Sequence, residues 1–163
     1  MSNFEYLMLV NTYANRSYNE YNQYPVFPWI IQEYNRKDLN LKDPNVYRDL
    51  SKPIGALTEQ RLKEYKQRAK NFHQEGTPYF LYGSHYSTSG AVFYWMIRVE
   101  PFSSLAAELQ NGKFDHPDRL FHSIQSTWES NISHSSDVKE LIPEFFYFPE
   151  FLRNRNKIDF GKR

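Results

Sequence analysis

Two prolines three residues apart, set in the run Arg16-Ser17-Tyr18-Asn19-Glu20-Tyr21-Asn22-Gln23-Tyr24-Pro25-Val26-Phe27-Pro28-Trp29, restrict the fold more than any other feature of this chain. Each proline lacks a backbone donor, fixes φ and pushes the residue before it toward extended geometry. The run therefore cannot be one helix or a central strand. Its aromatic residues make it too apolar for a solvated loop. The expectation is a packed, irregular segment, with main-chain polar groups satisfied by the side chains of Asn19, Asn22 and Gln23.

The same texture returns near the other end, in Pro143-Glu144-Phe145-Phe146-Tyr147-Phe148-Pro149-Glu150-Phe151-Leu152. Aromatic residues make up 18% of the chain and thirteen are tyrosines, which pack as rings and still hydrogen-bond at the tip. The 163 residues suit a single domain with a sizeable core. A formal charge of +1 gives no general attraction to nucleic acid or acidic membranes. Cysteine is absent, which excludes disulfides and thiolate metal sites. No apolar run approaches membrane-spanning length and no signal-peptide pattern opens the chain, so a soluble, cytoplasmic protein is expected.

Between these segments the pattern is helical. Residues 4–14 read as a first helix capped by Asn3 and buried through Phe4, Leu7, Met8 and Tyr13, with Asn15 as a left-handed stop. Residues 39–57 carry Asp43-Pro44-Asn45 and Ser51-Lys52-Pro53-Ile54-Gly55, and read as a long connection with local turns. Residues 59–73 form the clearest helix, capped by Thr58. Leu62, Tyr65, Ala69 and Phe72 make its apolar stripe, and Glu59–Lys63 and Glu64–Arg68 its favourable pairs. Arg61, Lys63, Lys66 and Lys70 form a basic face, a candidate for binding an acidic partner, although such faces are ordinarily just solvated. The apolar run 91–99 fits strand or buried helix by periodicity, and the caps before it favour helix. Two more helices follow: 104–110, capped by Ser103 and stopped by Asn111-Gly112, and 117–130, with Pro117 at its first position. Asp137 and Glu140 resemble a capping box opening a short turn.

The search for chemistry finds little. The spacing of His116 and His122 is not that of two ligands on one helix face, and no His-Glu-x-x-His motif occurs. Ser84 adjoins His85, but the Gly-x-Ser-x-Gly elbow is missing. No glycine-rich phosphate cradle is present. Asp115 and Asp118 suit a helix start, with Arg119 able to pair with either. Arg48-Asp49 and Lys139-Glu140 read as ion pairs.

Several long motifs, in order, resemble one family. They are Ser2-Asn3-Phe4-Glu5-Tyr6-Leu7, Arg16-Ser17-Tyr18-Asn19, Gln23-Tyr24-Pro25-Val26-Phe27-Pro28-Trp29 and Arg48-Asp49-Leu50-Ser51-Lys52-Pro53-Ile54-Gly55-Ala56. Tyr82-Gly83-Ser84-His85-Tyr86-Ser87, Arg98-Val99-Glu100-Pro101-Phe102, Gly112-Lys113-Phe114-Asp115-His116-Pro117-Asp118-Arg119-Leu120-Phe121 and Ser136-Asp137-Val138-Lys139-Glu140-Leu141-Ile142-Pro143-Glu144-Phe145-Phe146-Tyr147 complete the set. Together they resemble the BEACH (beige and Chediak-Higashi) domain. Asn15 stands where the family usually has glycine, and Glu20 where aspartate is common. The resemblance covers the N-terminal half to two-thirds of such a domain, so residues 1–163 are expected to be a single, incomplete BEACH unit.

The resemblance implies a mainly α fold, helices around irregular extended aromatic core segments. Its motif core would include Arg16, Asn19, Gln23, Tyr24, Pro25, Phe27, Pro28, Trp29, Tyr82, His85, Asp115 and Arg119. It implies a non-catalytic protein-interaction scaffold module in membrane trafficking and in lysosomal or autophagic vesicle processes, with no cofactor and no metal. The implied partners are proteins, among them a pleckstrin-homology-like domain and WD40 repeats. Association with endosomal or lysosomal membranes would be indirect and peripheral. Two alternatives stay open: a hydrolase using Ser84 and His85 with a carboxylate such as Asp115, and a peripheral module contacting phosphoinositides through the Arg61–Lys70 face.

Overall fold

The computed structural model describes residues 1–163 apart from 78, 80, 82–87, 135–137 and 162–163, and apart from the side chains of Thr88 and Ser89. The described residues are mainly helical, and their strand-like pairing is limited to isolated bridges. The α-helices are α1 (Asn3–Tyr13), α2 (Glu59–Phe72), α3 (Thr88–Met96), α4 (Phe102–Leu109), α5 (Ile124–Ser133) and α6 (Glu144–Tyr147). Short 3-10 turns lie between α1 and α2, between α4 and α5, and after α6. The chain groups into two compact units, one of residues 1–28, 87–123 and 140–163, the other of residues 29–86 and 124–139.

In the first unit residues 91–96 of α3 present apolar or aromatic side chains all round, and a helical stretch of that kind is stable only when surrounded. Ala91, Val92, Tyr94, Trp95 and Met96 are all buried. Around α3 pack α4 and the 3-10 turns Tyr21–Gln23, Pro117–Arg119 and Pro149–Leu152. Trp95 is fully enclosed, with ring centroids 4.8 Å from Phe145 and 5.0 Å from Phe121, and its Nε1 donates to Glu140 O at 2.9 Å. Such edge contacts between rings add to simple burial. Arg98 gathers three carbonyls, those of Leu152, Phe121 and His122, and stacks 4.5 Å from the Phe121 ring.

Helix α1 starts with a capping box: Glu5 N–H donates to Ser2 Oγ and Ser2 N–H to the Glu5 carboxylate. The cap is Ser2, not the expected Asn3, because only Ser2 has glutamate three residues on. Asn15 is left-handed at φ 59°, as expected for a stop.

In the second unit α2 and α5 close over the buried 3-10 turn Ile54–Ala56. The Tyr65 hydroxyl approaches Gly55 so closely that an added Cβ would lie 2.6 Å from it, which reserves that position for glycine. Asn131, with no exposed surface, binds the Lys139 main chain twice: Nδ2 donates to Lys139 O at 3.0 Å, and Lys139 N–H donates to Oδ1 at 2.8 Å. The amide does here what a neighbouring strand does elsewhere.

Four expected elements differ. Residues 117–130 are not one helix: Pro117–Arg119 is a 3-10 turn, residues 120–123 are non-helical, and α5 begins at Ile124. Leu120 and Phe121, both buried, are placed by that extended stretch rather than by a helix face. Helix α3 starts three residues before the expected run and ends before Ile97. Ser103 lies inside α4 rather than capping it, its hydroxyl donating to Ile97 O at 2.6 Å, while the Glu100 carboxylate accepts from Ser104 N–H. The C-terminal proline-aromatic run is partly regular, forming α6 and the 3-10 turn Pro149–Leu152. The proposed capping residue Asp137 lies outside the described residues.

Candidate interaction surface

The opening segment is held by side chains from outside its own expected set. Asn19, Asn22 and Gln23 are exposed. In the first unit Asn11, the only buried residue of α1, reaches across: its Nδ2 donates to Val26 O at 3.0 Å and its Oδ1 accepts from Val26 N–H at 3.2 Å. Arg16 donates to Tyr24 O at 3.2 Å. Phe27 exchanges both main-chain bonds with Leu141, at 2.8 and 3.1 Å, in an antiparallel bridge. Both donors that lie between the two prolines, Val26 N–H and Phe27 N–H, are thereby paired.

Of the predicted core residues, Tyr24, Pro25 and Phe27 are buried in this unit, and Arg16 and Pro28 are half-buried. Phe27 stacks on Phe4 at 5.5 Å and meets Phe146 at 5.0 Å. Arg16 and Gln23 line a small open cleft with Ala14, Asn15 and Asn22. Trp29 belongs to the second unit and is fully buried there, its ring 5.7 Å from Trp128 and 5.6 Å from Tyr34. Its Nε1 donates to Lys139 O at 2.7 Å, and its own carbonyl accepts from Arg48 Nε. Burial holds the Tyr34 hydroxyl protonated beyond the usual phenol range.

Other expected positions fall elsewhere. Asp115 and Arg119 are exposed and form no ion pair with each other. Tyr82, Ser84 and His85 lie outside the described residues. Arg48 and Asp49 are not an ion pair: Arg48 binds the carbonyls of Trp29, Asp49 and Lys52, while Asp49 pairs with Lys52 at 3.2 Å. Hydrogen bonds from Ser51 and then Lys52 hold the Asp49 carboxyl below its ordinary pKa. Lys139 is buried and its main chain serves Asn131 and Trp29.

The basic face of α2 is smaller than expected. Lys63, Lys66 and Lys70 are exposed, but Arg61 is buried and donates to Ile132 O at 2.7 Å and to Asn131 O, at the C-terminal end of α5. A cation there meets the negative end of the helix dipole. Phe72, expected in the stripe, is exposed. Glu64 accepts from Gln60 Nε2 rather than pairing with Arg68, whose guanidinium lies 5.5 Å from the Tyr65 ring.

Composition did not reveal a carboxylate at the centre of a tyrosine cluster in the first unit. Glu144 is 6% exposed, and its Oε1 accepts from Tyr24 Oη at 2.5 Å. Burial, then this bond, holds the Tyr24 hydroxyl protonated far beyond the usual phenol range. Tyr147 is pushed up to about 12, first by burial and then by the Glu144 charge. Tyr18 is raised by the same two causes, in the same order. The Tyr18 and Tyr24 rings meet edge to face at 5.3 Å. The signal in the sequence was the glutamate after Pro143, flanked by aromatics.

Helix α1 carries two apolar stripes. Phe4, Leu7, Met8 and Asn11 turn inward, whereas Tyr6, Leu9, Val10 and Tyr13, at the same i, i+3, i+4, i+7 spacing, face solvent. Tyr13, expected in the core, is 84% exposed. Phe146 and Tyr147 of α6 are exposed as well. Among the described residues no group of three or more His, Asp or Glu side chains is placed to hold a metal ion, and no helix is long and apolar enough to cross a membrane.

The family model of the Beige/BEACH domain matches residues 1–163. The chain is 55% identical over 161 residues to BEACH domain-containing protein lvsD of Dictyostelium discoideum, covering 99% of this chain and 5% of the relative. It is 52% identical over 161 residues to BEACH domain-containing protein B of Arabidopsis thaliana, covering 99% of this chain and 6% of that protein. A putative neurobeachin homolog of Caenorhabditis elegans is 50% identical over 163 residues, all of this chain and 6% of its own length. The chain thus spans about one-twentieth of the relatives it matches. With a match along its whole length and motif side chains that pin the irregular segments, the chain belongs to the BEACH domain family.

Proposed function

We propose that this chain is a non-catalytic protein-interaction module of a scaffold acting in membrane trafficking, in lysosomal or autophagic vesicle processes. The observation that carries the reading is the outward stripe Tyr6, Leu9, Val10 and Tyr13 on α1. Apolar residues at helical spacing ordinarily mark the buried face, and an exposed set marks a binding surface. Membership of a family that includes a neurobeachin homolog supports the scaffold role. The partners are proteins, with a pleckstrin-homology-like domain as the occupant of the stripe and WD40 repeats as a further neighbour. Localisation is cytoplasmic, peripheral on endosomal or lysosomal membranes, through those partners.

The test uses the natural protein that contains this chain. Leu9→Ser with Tyr13→Ser is expected to abolish co-precipitation of the pleckstrin-homology-like domain and to disturb vesicle size or distribution, while thermal stability holds. Normal capture and normal vesicles in that double variant would refute the reading.

A further inference from the structure

Glu144 has a second oxygen, and the fold leaves it open. Oε1 takes the Tyr24 hydroxyl, but Oε2 is buried and, among the described residues, makes no hydrogen bond of ordinary geometry, although the Tyr147 hydroxyl also interacts with this carboxylate. A carboxylate removed from water is retained at acceptable cost when a counter-charge meets it. No cation of the described residues does so: the nearby Arg16 guanidinium is given to the Tyr24 carbonyl, and the ion pairs lie at Arg36–Glu33 and Lys52–Asp49. Three tyrosines surround the carboxylate. Tyr24 is buried, whereas Tyr18 and Tyr147 are 45% and 57% exposed, and both feel the Glu144 charge. Tyr21 extends the wall, 6.3 Å from Tyr24. Electron-rich rings around one buried negative charge are the chemistry of a cation receptor.

We propose that this cluster receives a lysine side chain of a partner protein, with the ammonium passing the Tyr18 and Tyr147 rings to pair with Glu144 Oε2. Lysine rather than arginine follows from the acceptor count. A guanidinium fork binds best when both carboxylate oxygens face it, and Oε1 is turned to the Tyr24 hydroxyl, whereas an ammonium is a point charge that one oxygen satisfies. The exposed rings admit it by rotamer change, which exposed side chains make in picoseconds to nanoseconds. The proposal deepens the interaction reading above and rests on it for the occupant's being a protein.

The test titrates the whole chain with n-butylammonium chloride as the lysine mimic, and with n-propylguanidinium chloride and 1-pentanol as controls, followed by amide chemical shifts. Butylammonium is expected to shift the amides of Glu144, Phe145 and Tyr147, with the guanidinium weaker and the alcohol inert. Glu144→Gln keeps an acceptor for Tyr24 and removes the charge, so binding should weaken about tenfold or more. Should that variant lose its fold, Tyr147→Ala serves instead, and loss of the ring should weaken binding severalfold. Equal shifts with 1-pentanol, tighter guanidinium binding, or unchanged affinity in the variant that folds would overturn the receptor. Butylammonium binding that persists while Leu9→Ser and Tyr13→Ser leave partner capture intact would overturn the stripe reading alone.

Discussion

Replacing Asn131 by alanine removes both bonds that fix the Lys139 main chain. Loss of the buried acceptor facing Lys139 N–H costs about 1–3 kcal/mol. Loss of the Nδ2 donor to Lys139 O costs less, about 1 kcal/mol, because that carbonyl keeps Trp29 Nε1 at 2.7 Å. The sum is about 2–4 kcal/mol. A matched control exists in the first unit, where Asn154 clamps Ile158 by the same two bonds, at 2.8 and 2.9 Å, on the surface. Water replaces a lost partner there, so Asn154→Ala should cost about 0.5 kcal/mol or less. Urea denaturation gives both values. Native-state hydrogen exchange at the Lys139 amide should accelerate roughly 30-fold to several-hundred-fold in Asn131→Ala. Equal costs for the two substitutions, with Lys139 exchange unchanged, would refute the argument that burial gives this clamp its strength.

Two further outcomes are expected. Arg61→Ala should destabilise by about 1.5–3 kcal/mol in urea melts, since it strips a charged donor from the Asn131 and Ile132 carbonyls, whereas Lys63→Ala on the exposed face should change stability by less than about 0.5 kcal/mol. Tyr147 titrates near 12 when folded against 10.0 when unfolded, so its contribution is fully present below pH 10 and is lost as pH rises toward 12. Tyrosinate absorbance compared between wild type and Tyr147→Phe checks this, and a Tyr147 transition near pH 10 would contradict it.

Much of the fold was legible in local patterns. Thr58 caps α2 as its position implies, and Asn111-Gly112 closes α4 in left-handed geometry. The irregularity of residues 16–29 followed from proline chemistry alone. What escaped were the long-range partners. Asn19, Asn22 and Gln23 sit next to the main chain that needs pairing, yet Asn11 and Leu141 do the pairing, and nothing local to either announces it. Arg61 read as one of four cations on a polar face, and only the position of the α5 end makes it a buried cap. Pro117 starts a turn as well as a helix, and the two burials that follow, Leu120 and Phe121, decided for the turn. Glu144 was invisible as a site because its tyrosines come from both ends of the chain.

The bond from Trp29 to Lys139 spans 110 residues, and it also sets a timetable. At about 5–20 residues per second, a ribosome needs roughly 5–20 s to make the second partner after the first. During that interval residues 87–123, which belong to the other unit, are also being made. The nascent Trp29 and the apolar side of α2 therefore wait, uncovered, for a segment of sixteen residues delivered late. A chain released before Lys139 lacks the carbonyl that Trp29 binds, and it is expected to be cleaved faster by protease than the whole chain.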